Sequence, residues 1–430
     1  MNEDVSTIKQ LIVLTLFTVC LQTFALEIAG NGVTVNYVYV LIPFIFWLIG
    51  LKRRLVRREQ VVQVILFYGL IYLVGFPGDV FNFNHIGDPT RRLASFLVFL
   101  FPILLSLVEF KPVDIDIFKR SVIVASALYS FKSVLTFVFI AGGASRVSEL
   151  KGLIGSQRYG FILCLGFFIA LFNDTLITKK WILPQRALIC SIIFIGAIFT
   201  YSRSTMVSLI GGLAFFVITT FKKNRRTTNE LYLKATSRKF KPIYLIALLV
   251  VVVSVFIAFQ HYFEANFLRS YQVNLLDRLL DNSLFGKFLE KNQLSSEGVR
   301  YYLLTRILNY LVIHPLFGSS YQGLYLLYDE FKGGMSSHNQ YADVFLRTGL
   351  FGGALWLFLL YRVYRFCGRD RGLQVGLVAI FIYGFFHETF KESHGSFVFG
   401  MLLSFSYMSA YLGIQGKSSA SVPLISSESS

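Results

Sequence analysis

The sequence predicts an all-α polytopic membrane protein with about twelve transmembrane helices and one large, partly helical loop on the outer side. Three observations carry the prediction. The 430 residues are 55% hydrophobic and only 15% charged, where a soluble domain carries roughly 25% charged residues. Apolar runs of bilayer length recur along the chain. Basic residues fall mainly on alternate connections between those runs, as they do when loops alternate between the two sides of a membrane. The 45 Phe and 23 Tyr exclude intrinsic disorder, which requires low hydrophobicity. A net charge of +17 would suggest nucleic acid in a soluble protein; here the loop positions account for it, and no nucleic-acid partner is expected.

The runs are 8–28, 33–51, 61–76, 93–109, 121–141, 159–172, 187–201, 205–221, 243–262, 349–361, 373–387 and 397–414. With the N-terminus in the cytoplasm, the inside connections are 52–60, 110–120, 173–186, 222–241, 362–372 and the C-terminal tail. Counting Lys9, about 25 of the 41 basic residues then lie on the cytoplasmic side, as orientation by positive charge requires. Connection 77–92 departs from the pattern, because Arg91 and Arg92 open the fourth run. Both termini are expected in the cytoplasm. Glu3 and Asp4 precede the first run, where a cleaved leader wants a basic start, so that run is read as a retained helix.

Four units follow: residues 1–262 with the first nine spans, the outer loop 263–348, the last three spans in 349–414, and a Ser-rich tail 415–430 expected to be disordered. Within the loop, Val299, Leu303, Ile307, Tyr310 and Leu311 recur at helical spacing. This predicts an amphipathic helix over Ser296 to Ile313, lying on the membrane or capping the bundle. His314-Pro315 stops it, since proline disfavours helical geometry in the residue before it. Gly333-Gly334 supplies a joint. Ser337 with Gln340 three residues on matches a capping box, so a helix is expected from His338 into the tenth span. A histidine in a first helical turn faces the positive end of the macrodipole, which disfavours imidazolium and suits a base.

Thr200 to Thr205 interrupts an apolar stretch from 187 to 221 that is too long for one span, so the chain must turn there in a tight hairpin with Arg203 at its tip. Arg158 stands at the outer end of the sixth span and Arg300 near the start of the loop helix. Guanidinium binds phosphate oxygens bidentately and keeps its charge, so three outward arginines with a candidate base suggest a diphosphate site. An arginine at a span end can instead snorkel to lipid headgroups. Lys132, in mid-span, either lines a cavity or pairs with an acid such as Glu27. Cys20, Cys164, Cys190 and Cys367 are too scattered for a disulfide scaffold or a zinc site. No metal is expected.

In order and spacing, Ser202-Arg203-Ser204-Thr205, Gly298-Val299-Arg300, His314-Pro315-Leu316-Phe317-Gly318, His338-Asn339-Gln340-Tyr341 and Arg347-Thr348-Gly349-Leu350-Phe351-Gly352 resemble the O-antigen ligase and O-antigen polymerase superfamily of bacterial membrane glycosyltransferases. The resemblance covers roughly residues 150 to 365. It implies a periplasmic site acting on undecaprenyl-diphosphate-linked glycan, in the inner membrane, without metal or other cofactor. His338 would be the general base, and Arg203 and Arg300 would hold the diphosphate; Arg158 matches less well. Polymerases of this kind imply a chain-length regulator protein as partner, besides the surrounding membrane lipids. The shared motifs do not separate polymerase from ligase. The polymerase is preferred because divergent, Phe- and Tyr-rich sequences often belong to single surface-polysaccharide clusters. Two further readings stay open. A transporter or flippase for the same lipid-linked sugars would want repeated halves and a midplane site, and a transferase with an acidic catalytic residue would use Asp79 or Asp88.

Overall fold

The computed structural model describes residues 110, 112–140, 156–172, 182–200, 202–226, 296–319, 338–368, 370–390, 395 and 397–407. Among these the regular structure is entirely helical. The helices are α1 Pro112–Ile140, α2 Ser156–Phe172, α3 Ile182–Phe199, α4 Arg203–Arg226, α5 Ser296–Ile313, α6 Gln340–Cys367, α7 Arg371–Gly384 and α8 Phe397–Tyr407. Of the described helices, α6 is long and apolar enough to cross a bilayer, and α2, α3, α4, α5, α7 and α8 contain shorter apolar stretches. The remaining runs, 8–28, 33–51, 61–76, 93–109 and 243–262, lie outside the described residues, as do Asp79, Asp88, Glu27, Gly333-Gly334 and the tail.

The centre of the bundle is α2. Its residues from Tyr159 to Ala170 are apolar or small on every side, and all are buried. A helix hydrophobic all round belongs in a core rather than at a surface, and α2 accordingly touches α1, α3, α4 and α7. Close approach is achieved with small residues, the usual device where no water drives association. Ser126 of α1 donates to its own Val122 carbonyl at 2.7 Å and to the Ile162 carbonyl of α2 at 2.8 Å. A Cβ at Gly166 would overlap that serine, and one at Gly196 of α3 would overlap Ser130.

The amphipathic helix forms over the range its periodicity predicts. Leu303 and Ile307 of α5 are buried with Leu346 of α6, and Tyr310 and Leu311 pack around them. Leu308, Val312, Ile313, Leu316 and Phe317 are exposed, so a broad apolar face turns outward. His314-Pro315 ends the helix, and the next segment docks onto α6. Ser319 N–H donates to the Leu346 carbonyl at 2.7 Å, and Leu350 N–H donates to the Pro315 carbonyl at 2.8 Å. Gly349 has φ +64 and ψ −167, a backbone region essentially reserved for glycine. A Cβ there would overlap the Leu316 backbone, and one at Gly318 would overlap the Arg347 backbone. The two glycine-containing motifs are thus the two halves of one interlocked joint, and α6 is broken at Gly349 rather than continuous into the span.

Three sequence expectations are corrected. The N-cap of α6 is Asn339, whose side chain accepts from Tyr341 N–H and Ala342 N–H at 3.0 Å each. The helix therefore begins at Gln340, and His338 precedes the cap instead of standing in the first turn. The Gln340 side chain does not reach back as a capping box requires; its Oε1 accepts from Phe390 N–H at 2.7 Å. Second, α1 starts at Pro112, ahead of the span start at 121, because a proline is well placed in a first turn. Third, α7 ends at Gly384 rather than 387. Phe386 and His387 both donate to the Tyr383 carbonyl, which tightens the chain into a turn.

The contacts between helices sort their termini into two ends of the bundle, which collect different residues. One end gathers Lys119, Arg186, Thr220, Arg362, Asp370 and Arg371. Lys119 Nζ reaches Asp116 at 2.8 Å and Asp370 at 3.0 Å. Asp370 also caps α7 by accepting from Leu373 N–H at 3.0 Å. Arg371 donates to Thr220 and lies over the Phe216 ring, and Arg362 lies over Tyr407. The opposite end carries the starts of α2, α4 and α6.

Candidate active site

Arg203 opens α4 after a tight connection from α3. Thr200 closes α3 by donating through its hydroxyl to the Ala197 carbonyl at 2.6 Å, and accepts from Ser202 N–H at 3.3 Å. Ser202 is the N-cap of α4: its hydroxyl accepts from Thr205 N–H at 3.3 Å, while its carbonyl takes the first helical bond from Met206 N–H. The serine-arginine-serine order therefore has a local cause, since a hydroxyl cap satisfies an orphan amide at the helix start. The chain turns as the sequence predicts, and Arg203 is held at the first helical position.

The turn after α7 joins this helix start to two others. Ser202 and Ser204 hydroxyls lie 2.9 Å apart, and Ser204 Oγ lies 2.7 Å from His387 Nε2. Tyr383 stacks on the His387 ring at 4.6 Å. Gly160 of α2 fits against Thr205 and Tyr383, where a Cβ would overlap the threonine. Arg158 stands two residues earlier, on the first turn of α2. Beyond His387, Phe390 N–H binds Gln340, and Tyr341 stacks on Phe385 at 4.4 Å while donating to the Phe381 carbonyl at 2.8 Å.

The backbone positions of Arg158, Arg203 and His338 are thus assembled at one end of the bundle around residues 383–390. Arg300 lies on α5, which is anchored to α6 through Leu303, Ile307 and Leu346. The side chains of the three arginines lie outside the described residues. His338 is half-buried with φ +50, the left-handed region that non-glycine residues seldom occupy. This conformation aims the chain into the Asn339 cap and holds the histidine at the entrance to α6. Lys132 is half-buried on α1, and Cys164, Cys190 and Cys367 are buried as thiols. Among the described residues no group of three His, Cys, Asp or Glu side chains could hold a metal ion.

Sequence reasoning missed His387, Glu388 and the Asp343–Arg347 pair. Arg347 Nε donates to Asp343 Oδ2 at 2.9 Å, with Asp343 wholly buried. This pair braces the first turns of α6 before the Gly349 break, and its i,i+4 spacing is legible on a helix. The signal for His387 and Glu388 was two ionisable residues closing an apolar run, which in a membrane helix marks a polar interior.

Residues 188–357, less than half of the chain, match a family model described as O-antigen ligase. The match supports the resemblance to the O-antigen ligase and polymerase superfamily that the motifs carry. That family is membrane-embedded in bacteria and acts on lipid-linked glycans. The matched segment includes Arg203, Arg300 and His338, and excludes Arg158 and His387. Neither a curated protein nor a solved structure matches the chain.

Proposed function

We propose that the protein polymerises undecaprenyl-diphosphate-linked oligosaccharide repeat units at the periplasmic face of the bacterial inner membrane. It spans that membrane about twelve times, with both termini in the cytoplasm. The observation that carries the reading is the assembly of the starts of α4 and α6, bearing Arg203 and His338, around one buried turn within and beside the family-matched segment. The end holding Lys119, Arg186 and Arg371 is then cytoplasmic, and the site faces outward.

A glycosyl diphosphate is already activated, so transfer needs orientation, a base and cations on the leaving group. His338 takes the proton from an acceptor sugar hydroxyl as that oxygen attacks the donor anomeric carbon. The new glycosidic C–O bond forms as the bond from that carbon to the diphosphate breaks, inverting the anomeric centre. The negative charge leaves with undecaprenyl diphosphate. Arg203 and Arg300, with Arg158 nearby, stabilise that charge, and the N-terminal end of α4 adds its own positive potential. A chain-length regulator is the protein partner such a polymerase would use.

The second reading is a ligase that transfers the lipid-linked glycan to lipid A–core; the matched family model carries that description and supports activity of either type. Deleting the gene and resolving lipopolysaccharide on a gel separates the two. Loss of a polymerase leaves core carrying one repeat. Loss of a ligase leaves bare core while lipid-linked polymer accumulates.

A further inference from the structure

We propose that His387 is a positioning residue of the transfer site, setting the Arg203 helix and the His338 helix relative to one another. The inference rests on the roles given above to those two residues. His387 is buried to 8% exposure in a turn that leaves α7. In one direction its Nε2 meets Ser204 at 2.7 Å, and Ser204 meets Ser202 at 2.9 Å, so the two hydroxyls flanking Arg203 hang from the imidazole. In the other direction its own turn ends at Phe390, whose N–H is held by Gln340, two residues beyond His338. One side chain therefore stands between the start of α4 and the start of α6.

Packing alone does not explain a histidine here. A phenylalanine would stack on Tyr383 equally well and would bury no polar atom, whereas an imidazole in an apolar bundle is favourable only when its nitrogens are bonded. The hydrogen-bond chain gives that reason. Ser202 already accepts from Thr205 N–H, and each serine hydroxyl donates once and accepts, so the imidazole fixes both rotors and with them the first turn of α4. Supporting residues of this kind hold reacting groups to within fractions of an ångström, and a misplacement of about 1 Å costs about a hundredfold in rate.

The contact is made at Nε2, which glutamine reaches and asparagine does not. The test is glycan synthesis from lipid-linked repeat units by purified protein, with kcat and the donor KM measured for His387→Phe, His387→Asn, His387→Gln and Ser204→Ala, and thermal unfolding followed in parallel. His387→Phe and His387→Asn should lower kcat by about 10- to 100-fold with little change in KM, a size usual for residues that orient functional groups. His387→Gln should recover most of the loss. His387→Phe combined with Ser204→Ala should be no slower than the worse single variant, because both break one chain. Wild-type turnover in His387→Phe overturns the proposal, as does a His387→Gln variant no faster than His387→Phe. The control His338→Ala separates the two levels: if it turns over normally, the site assignment itself fails; if it is inactive while His387→Phe is normal, only the positioning role fails.

Discussion

At the end of the bundle where α1 and α7 meet, long charged side chains do the holding: Lys119 bridges Asp116 and Asp370, and Arg371 and Arg362 lie across aromatic rings. At the opposite end the joints between helices are made by short groups, two serine hydroxyls, one imidazole, one carboxamide and close-packed glycines, while the Asp343–Arg347 pair braces within α6. Long flexible side chains tolerate small movements of the helices they join. Short groups transmit position, because a hydroxyl at 2.7 Å from an imidazole has no slack. Charged pairs of this kind anchor helices, whereas short groups hold their geometry. The proposed transfer site lies at the second end.

The comparison sharpens or breaks under substitution. Replacing His338 with Ala should lower turnover by about 10²- to 10⁴-fold, the usual contribution of a general base, without shifting the unfolding midpoint. Arg203→Lys keeps the charge but loses the bidentate fork, and should lower turnover by about 10²-fold while the protein stays folded. Arg347→Met leaves Asp343 buried without the guanidinium that pairs with it. It should destabilise by about 3 kcal/mol in a thermal or denaturant assay, with activity lost in proportion to folded protein. Gly349→Ala forces a side chain into a glycine-only conformation against the Leu316 backbone, at a cost of about 1–3 kcal/mol.

The smallest effect belongs to the charged end. Lys119→Met should change stability by about 1 kcal/mol and leave kcat unchanged, since Lys119 is buried but the carboxylates it would leave behind, Asp116 and Asp370, are part-exposed and open to water. Burial pulls the Lys119 ammonium down, but hydrogen bonds and attraction from Asp116 and Asp370 outweigh it and leave its pKa raised. A raised lysine pKa stabilises fully below the unfolded value of about 10.4 and is lost only as pH climbs through the higher folded value. Unfolding midpoints of wild type and Lys119→Met should therefore differ by a constant amount across neutral pH and converge only in strong alkali. A kcat loss in Lys119→Met as large as that in His338→Ala would erase the distinction between the two ends.

Much of this was legible in the sequence where the cause was local. The loop helix from Ser296 to Ile313 follows from its periodicity, its stop from His314-Pro315, and the tight turn before Arg203 from an apolar stretch too long for one span. The cap of α6 was misread because Ser337 and Gln340 have the right spacing for a capping box, while the amide of Gln340 is claimed by a backbone group 50 residues away. The Gly349 break was missed for the same kind of reason, since it answers to the Pro315–Gly318 segment lying against it. His387 was invisible as a site residue because its partner, Ser204, is 183 residues distant. Periodicity reports which face of a helix is buried; it carries nothing about which two polar atoms meet there.

The most direct test of the central claim is synthesis of glycosidic bonds by purified protein in lipid, supplied with undecaprenyl-diphosphate-linked repeat units and compared between wild type and His338→Ala. A ladder of polymer is expected with the wild type and none with the variant, at equal folded protein. A ladder that survives His338→Ala but disappears in Asp79→Ala or Asp88→Ala would contradict that claim, as would movement of the lipid across the bilayer with no bond formed.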